Sequence, residues 1–133
     1  MDLKNVTQIS ASGLKAQSLR MRVIAENLAN ADSVARTPSG EPYRRKVALF
    51  SPSPIEGSNG VKVRGLGRDS SAFERTYQPG HPAADKAGYV LTPNVNSLVE
   101  AADMKSAQRS YEANLNAIDA ARSMTLRTID LIK

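Results

Sequence analysis

Every proline in this chain of 133 residues lies between Pro38 and Pro93, and seven of the eight glycines lie between Gly40 and Gly88. Proline and glycine are the residues that most strongly interrupt regular helix. The chain is therefore divided into two terminal segments that can form long helices and a central segment that cannot. We predict a mainly α fold, in which the two terminal helices pair as a coiled-coil-like layer and the centre forms a small β-hairpin with loops.

The first predicted helix covers residues 4–30. Its apolar residues recur every seven positions, as Ile9, Ala16 and Val23 do. On a helix this spacing gives one apolar stripe, which predicts packing against another helix. The residues that we expect to form the helix interface here are Val6, Ile9, Gly13, Leu14, Ala16, Met21, Val23, Ile24, Asn27, Leu28 and Asn30.

The second predicted helix covers residues 97–132. Ser97 followed by Glu100 matches a capping box, in which each side chain satisfies a free backbone N–H at the helix start. Apolar, small and polar residues then recur at the spacing of a coiled-coil seam. Such a helix is roughly 50 Å long, so we expect neighbouring copies to cover part of it. The expected interface residues are Met104, Ala107, Arg109, Tyr111, Asn114, Ile118, Ala121, Thr125 and Ile129.

Two regions follow from this division. Residues 1–35 and 94–133 are predicted to form one discontinuous helical assembly domain, and residues 36–93 a central segment. Within the centre, Asn59-Gly60 predicts a turn, and the alternation of apolar and basic residues in 61–65 predicts a half-exposed strand. The Ser-Pro-Ser-Pro sequence at 51–54 predicts a mobile tip.

Composition points to apolar surface that is buried between chains. Aromatic residues make up only 5% of the sequence and tryptophan is absent, although large rings normally anchor the core of a domain. The lack of cysteine excludes a disulfide framework and a cysteine-based zinc site. No apolar run approaches the roughly 18 residues of a membrane span, and the first residues lack a signal-peptide core. We therefore expect a cytoplasmic protein, or one that is exported without a cleaved signal.

The net charge of +5 is concentrated in residues 36–69, which hold seven Lys/Arg against three Asp/Glu. One interpretation is a nucleic-acid surface, because phosphate neutralisation dominates such binding. The other is a hairpin face that is solvated or meets a neighbouring subunit, and this is favoured because no nucleic-acid-binding motif is recognisable. The cluster consists of Arg44, Arg45, Lys46, Lys62, Arg64 and Arg68.

The titratable residues do not form a pattern that predicts catalysis. His81 is the only histidine and lies in a turn between glycine and proline, without the partners that a base or a metal ligand needs. The spacing of Asp69, Glu74 and Asp85 places no two carboxylates on one face of a predictable element. We predict no enzymatic activity, no cofactor and no metal.

Several blocks of sequence resemble the family of flagellar rod and hook proteins. Ser12-Gly13-Leu14, Ala16-Gln17 and residues 24–33 are similar to the N-terminal signature of that family. Further blocks follow in the expected order and narrow the resemblance to a subunit of the proximal rod, although another rod subunit stays possible. These blocks are residues 37–46, 77–85, 88–90, 93–96 and 107–114.

The resemblance implies a structural function. Members of this family pass unfolded through the flagellar export apparatus and fold into the rod, a drive shaft that crosses the periplasm. Their terminal helices polymerise and form the wall of the export channel. The implied partners are other copies, other rod proteins and the ring adapter, with no membrane insertion and no nucleic acid. The family motifs match at residues 27–30 and 109–114, and the resemblance implies that these residues take part in assembly.

Overall fold

The computed structural model describes residues 2–133 and contains two long helices and two small sheets. Helices form at 4–30 and 97–132 as predicted, within one residue at each end. The central β region is also confirmed, but it holds two sheets rather than one hairpin. The elements are α1 (Leu3–Ala29), β1 (Lys46–Ile55), β2 (Ser58–Arg68), β3 (Glu74–Tyr77), β4 (Tyr89–Thr92) and α2 (Ser97–Ile132).

The start of α2 differs from the predicted capping box. The side-chain oxygen of Asn96 accepts hydrogen bonds from the backbone N–H groups of Leu98 (3.0 Å) and Val99 (3.2 Å). Asn96 is therefore the N-cap and Ser97 is the first helical residue, so the predicted box is wrong. Glu100 lies inside the protein and is fully buried. Its carboxylate is thus available for contacts other than capping.

The hairpin of β1 and β2 turns three residues earlier than predicted. The turn is at Glu56-Gly57, where Gly57 has a φ of +74°, a conformation that glycine adopts without steric cost. Asn59 and Gly60 belong to β2. The predicted mobile tip is also wrong, because residues 51–54 lie within β1 with both prolines exposed. Proline is tolerated in an edge strand, where a missing N–H breaks no ladder.

The second sheet was not predicted. Strands β3 and β4 are antiparallel, with Tyr77 opposite Tyr89 and Thr76 opposite Val90. The two tyrosine rings meet edge to face at 5.3 Å. Val90 points inward and is almost completely buried. Four-residue strands carry too little alternation to be recognised in the sequence.

The chain divides into two compact units. Unit 1 consists of the residues up to Met21, Ala48–Gly65 and Lys105–Lys133. Its buried residues are all small: Ser10, Gly13, Ala16, Ala107 and Ala121. Small side chains allow helix backbones to approach closely, which agrees with the scarcity of large rings in the sequence.

Unit 2 consists of Arg22–Val47 and Leu66–Met104. Its buried apolar residues are Val23, Ile24, Ala83 and Val90. It also buries two polar side chains, those of Asn27 and Glu100. Within residues 2–133, no helix is both long enough and apolar enough to cross a bilayer.

Substitution of Gly88 tests the geometry of unit 2. Gly88 has a φ of +86°, and a Cβ atom there would lie 2.9 Å from the Tyr77 ring and 3.1 Å from Pro79. We expect Gly88→Ala to lower the free energy of unfolding by about 2 kcal/mol. Gly80→Ala is the control, because a Cβ at Gly80 meets no atom within 4 Å. Urea unfolding measures both, and equal effects of the two variants would contradict this geometry.

Candidate assembly interface

Asn27, in the last turns of α1, is the centre of a buried polar network in unit 2. Its Nδ2 group donates to the backbone oxygen of Lys46 (2.9 Å) and to Oε2 of Glu100 (3.1 Å). Its Oδ1 atom accepts hydrogen bonds from the Lys46 N–H and the Tyr43 hydroxyl, both at 2.9 Å. All four hydrogen-bonding positions of the amide are therefore used. The side chain is 1% exposed, so its polar atoms need these hydrogen bonds in place of water.

Arg45 neutralises the buried carboxylate of Glu100. Its Nε group donates to Oε1 of Glu100, and its other nitrogens lie 3.4 Å from Asp69 and 3.5 Å from Asp103. The backbone N–H of Arg45 donates to Oδ1 of Asn94 at 2.8 Å. A buried charge without a partner is strongly destabilising. The network therefore fixes residues 43–46 against the ends of both helices within unit 2.

Half of the predicted basic cluster is paired within the chain. Arg44 donates to the backbone oxygens of Asp69 (2.8 Å) and Ser71 (3.2 Å), and its guanidinium lies 4.2 Å from the centre of the Phe73 ring. Lys46 forms an ion pair with Glu26. Arg44, Arg45 and Lys46 are thus paired within the chain, and their contact with a neighbouring subunit stays a prediction.

The other three cations remain on the surface. Lys62, Arg64 and Arg68 lie on β2 and are exposed. Within residues 2–133 their side chains make no hydrogen bond or ion pair. Whether these three cations face a neighbouring subunit stays a prediction.

The electrostatics of unit 2 follow from this pairing. Burial lowers the pKa of Arg45, but the hydrogen bond and charge of Glu100 outweigh it, so the pKa lies above its usual value. Burial raises the pKa of Tyr43, and the charge of Glu26 adds to the effect. Hydrogen bonds from the side chain and backbone of Ser71 lower the pKa of Asp69, with a smaller contribution from Arg45.

The seam of unit 1 brings α1 and α2 together at Gly13. A Cβ atom at Gly13 would lie 2.7 Å from Oδ1 of Asn114, so only glycine leaves space for the amide. Asn114 donates to the backbone oxygen of Ser110 at 2.8 Å, within its own helix. Ala16 and Ala107 are also buried, at positions that the heptad spacing predicts for a helix interface.

The last three turns of α2 are exposed in the described chain. Burial follows the heptad spacing as far as Ala121, and every residue from 122 to 133 is exposed. Large apolar side chains are among them, including Leu131 at 87% and Ile132 at 80% exposed. Thr125 and Ile129 therefore lie in this exposed segment, with Ile129 48% exposed.

The predicted interface residues fall into three groups. The buried ones are Gly13, Ala16, Val23, Ile24, Asn27, Ala107 and Ala121. The half-buried ones are Val6, Ile9, Leu14, Met21, Leu28, Asn30, Met104, Tyr111, Asn114 and Ile118. The exposed ones are Arg109, Thr125 and Ile129.

Sequence reasoning missed Glu100 as a buried group. The run of three cations at 44–46 was a usable signal, because such a run needs counter-charges if the segment packs. Nothing in the sequence indicated which carboxylates would supply them. His81 accepts a hydrogen bond at Nδ1 from the Ala83 N–H (3.0 Å), within the turn that follows β3.

Two family models match the terminal parts of the chain. The model described as flagella basal body rod protein matches residues 8–36. The model described as flagellar basal body rod FlgEFG protein C-terminal matches residues 86–131. These segments contain most of α1 and α2, the helices that the seam joins. The fold and the matches together define the class as structural proteins of the flagellar rod.

Relatives with nearly the full length of the chain specify the family. The flagellar basal-body rod protein FlgC of Agrobacterium fabrum is 47% identical, with 98% of this chain and 96% of the relative covered. That of Salmonella typhimurium is 43% identical with 98% of each covered, and that of Borreliella burgdorferi is 40% identical with 93% of each covered. This chain belongs to the FlgC family of flagellar basal-body rod proteins.

Removal of the buried charge tests the network. We expect Glu100→Gln to lower the free energy of unfolding by about 3 kcal/mol, because Arg45 loses its fully buried counter-charge and keeps only the longer contacts to Asp69 and Asp103. Glu41→Gln, at an exposed glutamate of the same unit, is the control and should change it by less than about 0.5 kcal/mol. Urea unfolding by circular dichroism measures both. Equal stability of the two variants would refute the network.

Acid stability tests the hydrogen bonds of Asp69 and Asp85. Backbone N–H groups of Tyr89 and Ala87 lower the pKa of Asp85, as Ser71 lowers that of Asp69. A lowered folded-state pKa means that the unfolded chain binds protons first as pH falls. Their contribution to stability is therefore complete well above pH 3.8, the usual aspartate pKa, and is lost as the pH falls from there through the lowered folded-state pKa. Ser71→Ala should raise the pKa of Asp69 in an NMR titration; an unchanged value would contradict this cause.

Proposed function

We propose that this chain is a structural subunit of the flagellar basal-body rod, in the proximal part, and that it polymerises through its terminal helices. Residues 1–35 and 94–133 act as one helical assembly domain, and residues 36–93 as the central segment. In the assembled rod the helices form a coiled-coil-like layer of the drive shaft and the wall of the export channel. The full-length similarity to FlgC proteins supports the rod role.

The observation that carries the proposal is the exposed end of α2. Five large apolar side chains are exposed between residues 122 and 133. Monomeric proteins rarely leave large apolar surfaces in water, and such surfaces generally mark an interaction site. The neighbouring copies of a rod supply the missing cover. The side chains are Met124, Leu126, Ile129, Leu131 and Ile132.

The matched motifs contribute to this role in different ways. Asn27 acts within the chain, where it fixes the end of α1. Exposed residues of the block at 109–114, such as Arg109, are available to neighbours. Asn114 at the seam sets the register of the helices, as a polar seam residue can.

The partners follow from the rod role. We infer contacts with copies of this chain, with other rod proteins and with the ring adapter. The chain reaches the basal body through the flagellar export apparatus without a cleaved signal, and crosses the periplasm as part of the rod. Its function is mechanical, since torque transmission requires many weak contacts and no chemistry. Pairing of Arg44, Arg45 and Lys46 within the chain reduces the surface left for nucleic acid.

A gene deletion tests the proposed function. We expect rings without rod or hook in electron micrographs of isolated basal bodies, and no swimming. The intact gene restores both. Complete rods and normal swimming in the deletion strain would overturn the proposal.

An apolar-to-charged substitution tests the use of the exposed end of α2. Ile129→Glu should leave the stability of the purified chain within about 0.5 kcal/mol of the parent, because the side chain is 48% exposed and exposed positions tolerate substitution. The same variant should fail to restore swimming in the deletion strain, since the charge would be buried against a neighbour. Ser123→Glu is the control on the same exposed segment. Normal swimming with Ile129→Glu would contradict burial at this position.

A further inference from the structure

Ser12 and Gly13 are neighbours on α1, yet they contact two different elements of unit 1. Ser12 contacts β2 and Gly13 contacts α2. Both residues belong to the sequence block 12–14 that resembles the family signature. We call the pair the Ser12-Gly13 junction.

Ser12 holds the β1–β2 hairpin on α1. Its hydroxyl donates to the backbone oxygen of Ile9 at 2.6 Å and accepts a hydrogen bond from the N–H of Val61 at 3.1 Å. A Cβ atom at Gly60 would lie 2.6 Å from both Oγ of Ser12 and Cδ1 of Ile55. Strand β2 therefore lies directly against α1 at this position.

Gly13 provides the space in which the side chain of Asn114 lies against α1. The three atoms nearest to a Cβ atom at Gly13 would all belong to Asn114, with Oδ1 at 2.7 Å and Cγ and Nδ2 at 2.8 Å. Because these distances are nearly equal, the flat face of the amide lies over the glycine. A Cβ atom does not tolerate contacts this short, so any other residue at position 13 would displace the amide.

The neighbouring positions of this helix seam would allow other registers, in which different residues of α1 and α2 lie opposite each other. The α2 positions one heptad before and after Asn114 are Ala107 and Ala121, and both are buried. Two alanines pack alike, so they select poorly between registers that differ by seven residues, whereas a polar seam residue can select one. A shift of one heptad would place Asn114 opposite Val6 or Arg20, whose side chains would fill the space of the amide.

The register also decides where the exposed end of α2 lies. Helix α1 begins at Leu3, ten residues before Gly13, and the last buried residue of α2 in the described chain is Ala121, seven residues after Asn114. If α2 ran from this contact toward the end of α1, its later residues would lie against sixteen further residues of that helix. Burial on α2 thus ends about where α1 begins, and a shift of one heptad would move the end of α2 by about 10 Å.

We propose that the Ser12-Gly13 junction sets the register of α1 and α2 and thereby positions the exposed end of α2 for assembly. Asn114 fits opposite Gly13, and Ser12 holds the hairpin at the same turn of α1. The hairpin and the end of α2 are then presented to a neighbouring subunit in one fixed arrangement. The inference rests on the proposed rod function for the presence of neighbours, whereas the register itself is a property of the single chain.

A double-mutant cycle on the purified chain tests the fit of Asn114 to Gly13. We expect Gly13→Ala to lower the midpoint of thermal unfolding by about 5 °C, because the added methyl group displaces the amide. In the Asn114→Ala background the same substitution should raise the midpoint, because the amide is absent and alanine favours helix over glycine. Any result other than this reversal of sign would overturn the proposal.

Gly65→Ala is the matched control for this cycle. It makes the same substitution in unit 1, where a Cβ atom would meet nothing within 4 Å. The midpoint should change equally in both backgrounds. A reversal of sign with this control as well would assign the effect to the Asn114→Ala background and overturn the fit.

Complementation of the deletion strain tests the role of the register in assembly. The Gly13→Ala/Asn114→Ala chain should unfold close to the parental midpoint but restore swimming poorly, because no side chain then selects between heptads. Gly65→Ala should restore swimming fully. Parental swimming with the double variant would overturn the role in assembly. Swimming of the deletion strain itself would instead refute the rod function, so the two failures are distinguishable.

Amide hydrogen exchange tests the contact between Ser12 and the hairpin. Ser12→Ala removes the acceptor of the Val61 N–H, so exchange of this amide should become about tenfold faster. Ser18→Ala, at an exposed position of the same helix, should leave the rate unchanged. An unchanged rate in Ser12→Ala, or equal acceleration in both variants, would overturn this part of the junction.

Discussion

The ion pair between Glu100 and Arg45 is the interaction on which unit 2 depends. A fully buried carboxylate is tolerated only when its charge is compensated and its oxygens are hydrogen-bonded. Arg45 supplies the charge and Asn27 supplies a further donor. Because these three side chains come from α1, the segment before β1, and α2, they join parts of the chain that are far apart in sequence. Asn94 and Asp69 extend the same network toward the loops before β3 and α2.

Unit 1 is held by a different principle. Its buried positions are glycine, alanine and serine, which bury little apolar area per residue but allow close helix contact. Such a seam contributes modest stability by area alone. The apolar side chains that could add more are at the exposed end of α2. The buried hydrogen-bonded network therefore lies in unit 2, whereas the largest exposed apolar surface lies at the end of α2 in unit 1.

The sequence predicted the helices well because their pattern is long and uninterrupted. The absence of proline and the heptad spacing gave both helices to within a residue. Burial from Gly13 to Ala121 follows the same spacing, whereas the role of these positions in assembly stays a prediction. The predicted helix cap and hairpin turn were wrong, because residues close together in the sequence can each fill the same structural position. Asn96 is the N-cap where Ser97 was predicted, because both side chains can accept a hydrogen bond at a helix start. Gly57 lies in the turn predicted at Asn59-Gly60, because either glycine can adopt the turn conformation.

The polar network could not be predicted, because it depends on contacts between residues as distant as Asn27 and Glu100. In the sequence, nothing distinguishes Arg45 from the other cations of the cluster, such as Arg44, Lys46 and Lys62. Only the fold distinguishes the cations that neutralise buried or nearby carboxylates from those that remain on the surface. The family resemblance identified the rod role, but it did not reveal which matched residues act within the chain.

Hydrogen exchange of the dilute chain and of isolated rods tests the central claim. This claim is that contacts within the chain stabilise α2 up to Ala121, and that residues 122–132 need contacts with neighbouring subunits. In the dilute chain, amides of residues 97–104 should be protected by the buried network of unit 2. Amides of residues 122–132 should exchange at nearly the rate of an unstructured peptide, because an uncovered helix end is marginal in water. In rods the same amides should become protected. Equal protection along the whole of α2 in the dilute chain would contradict the account.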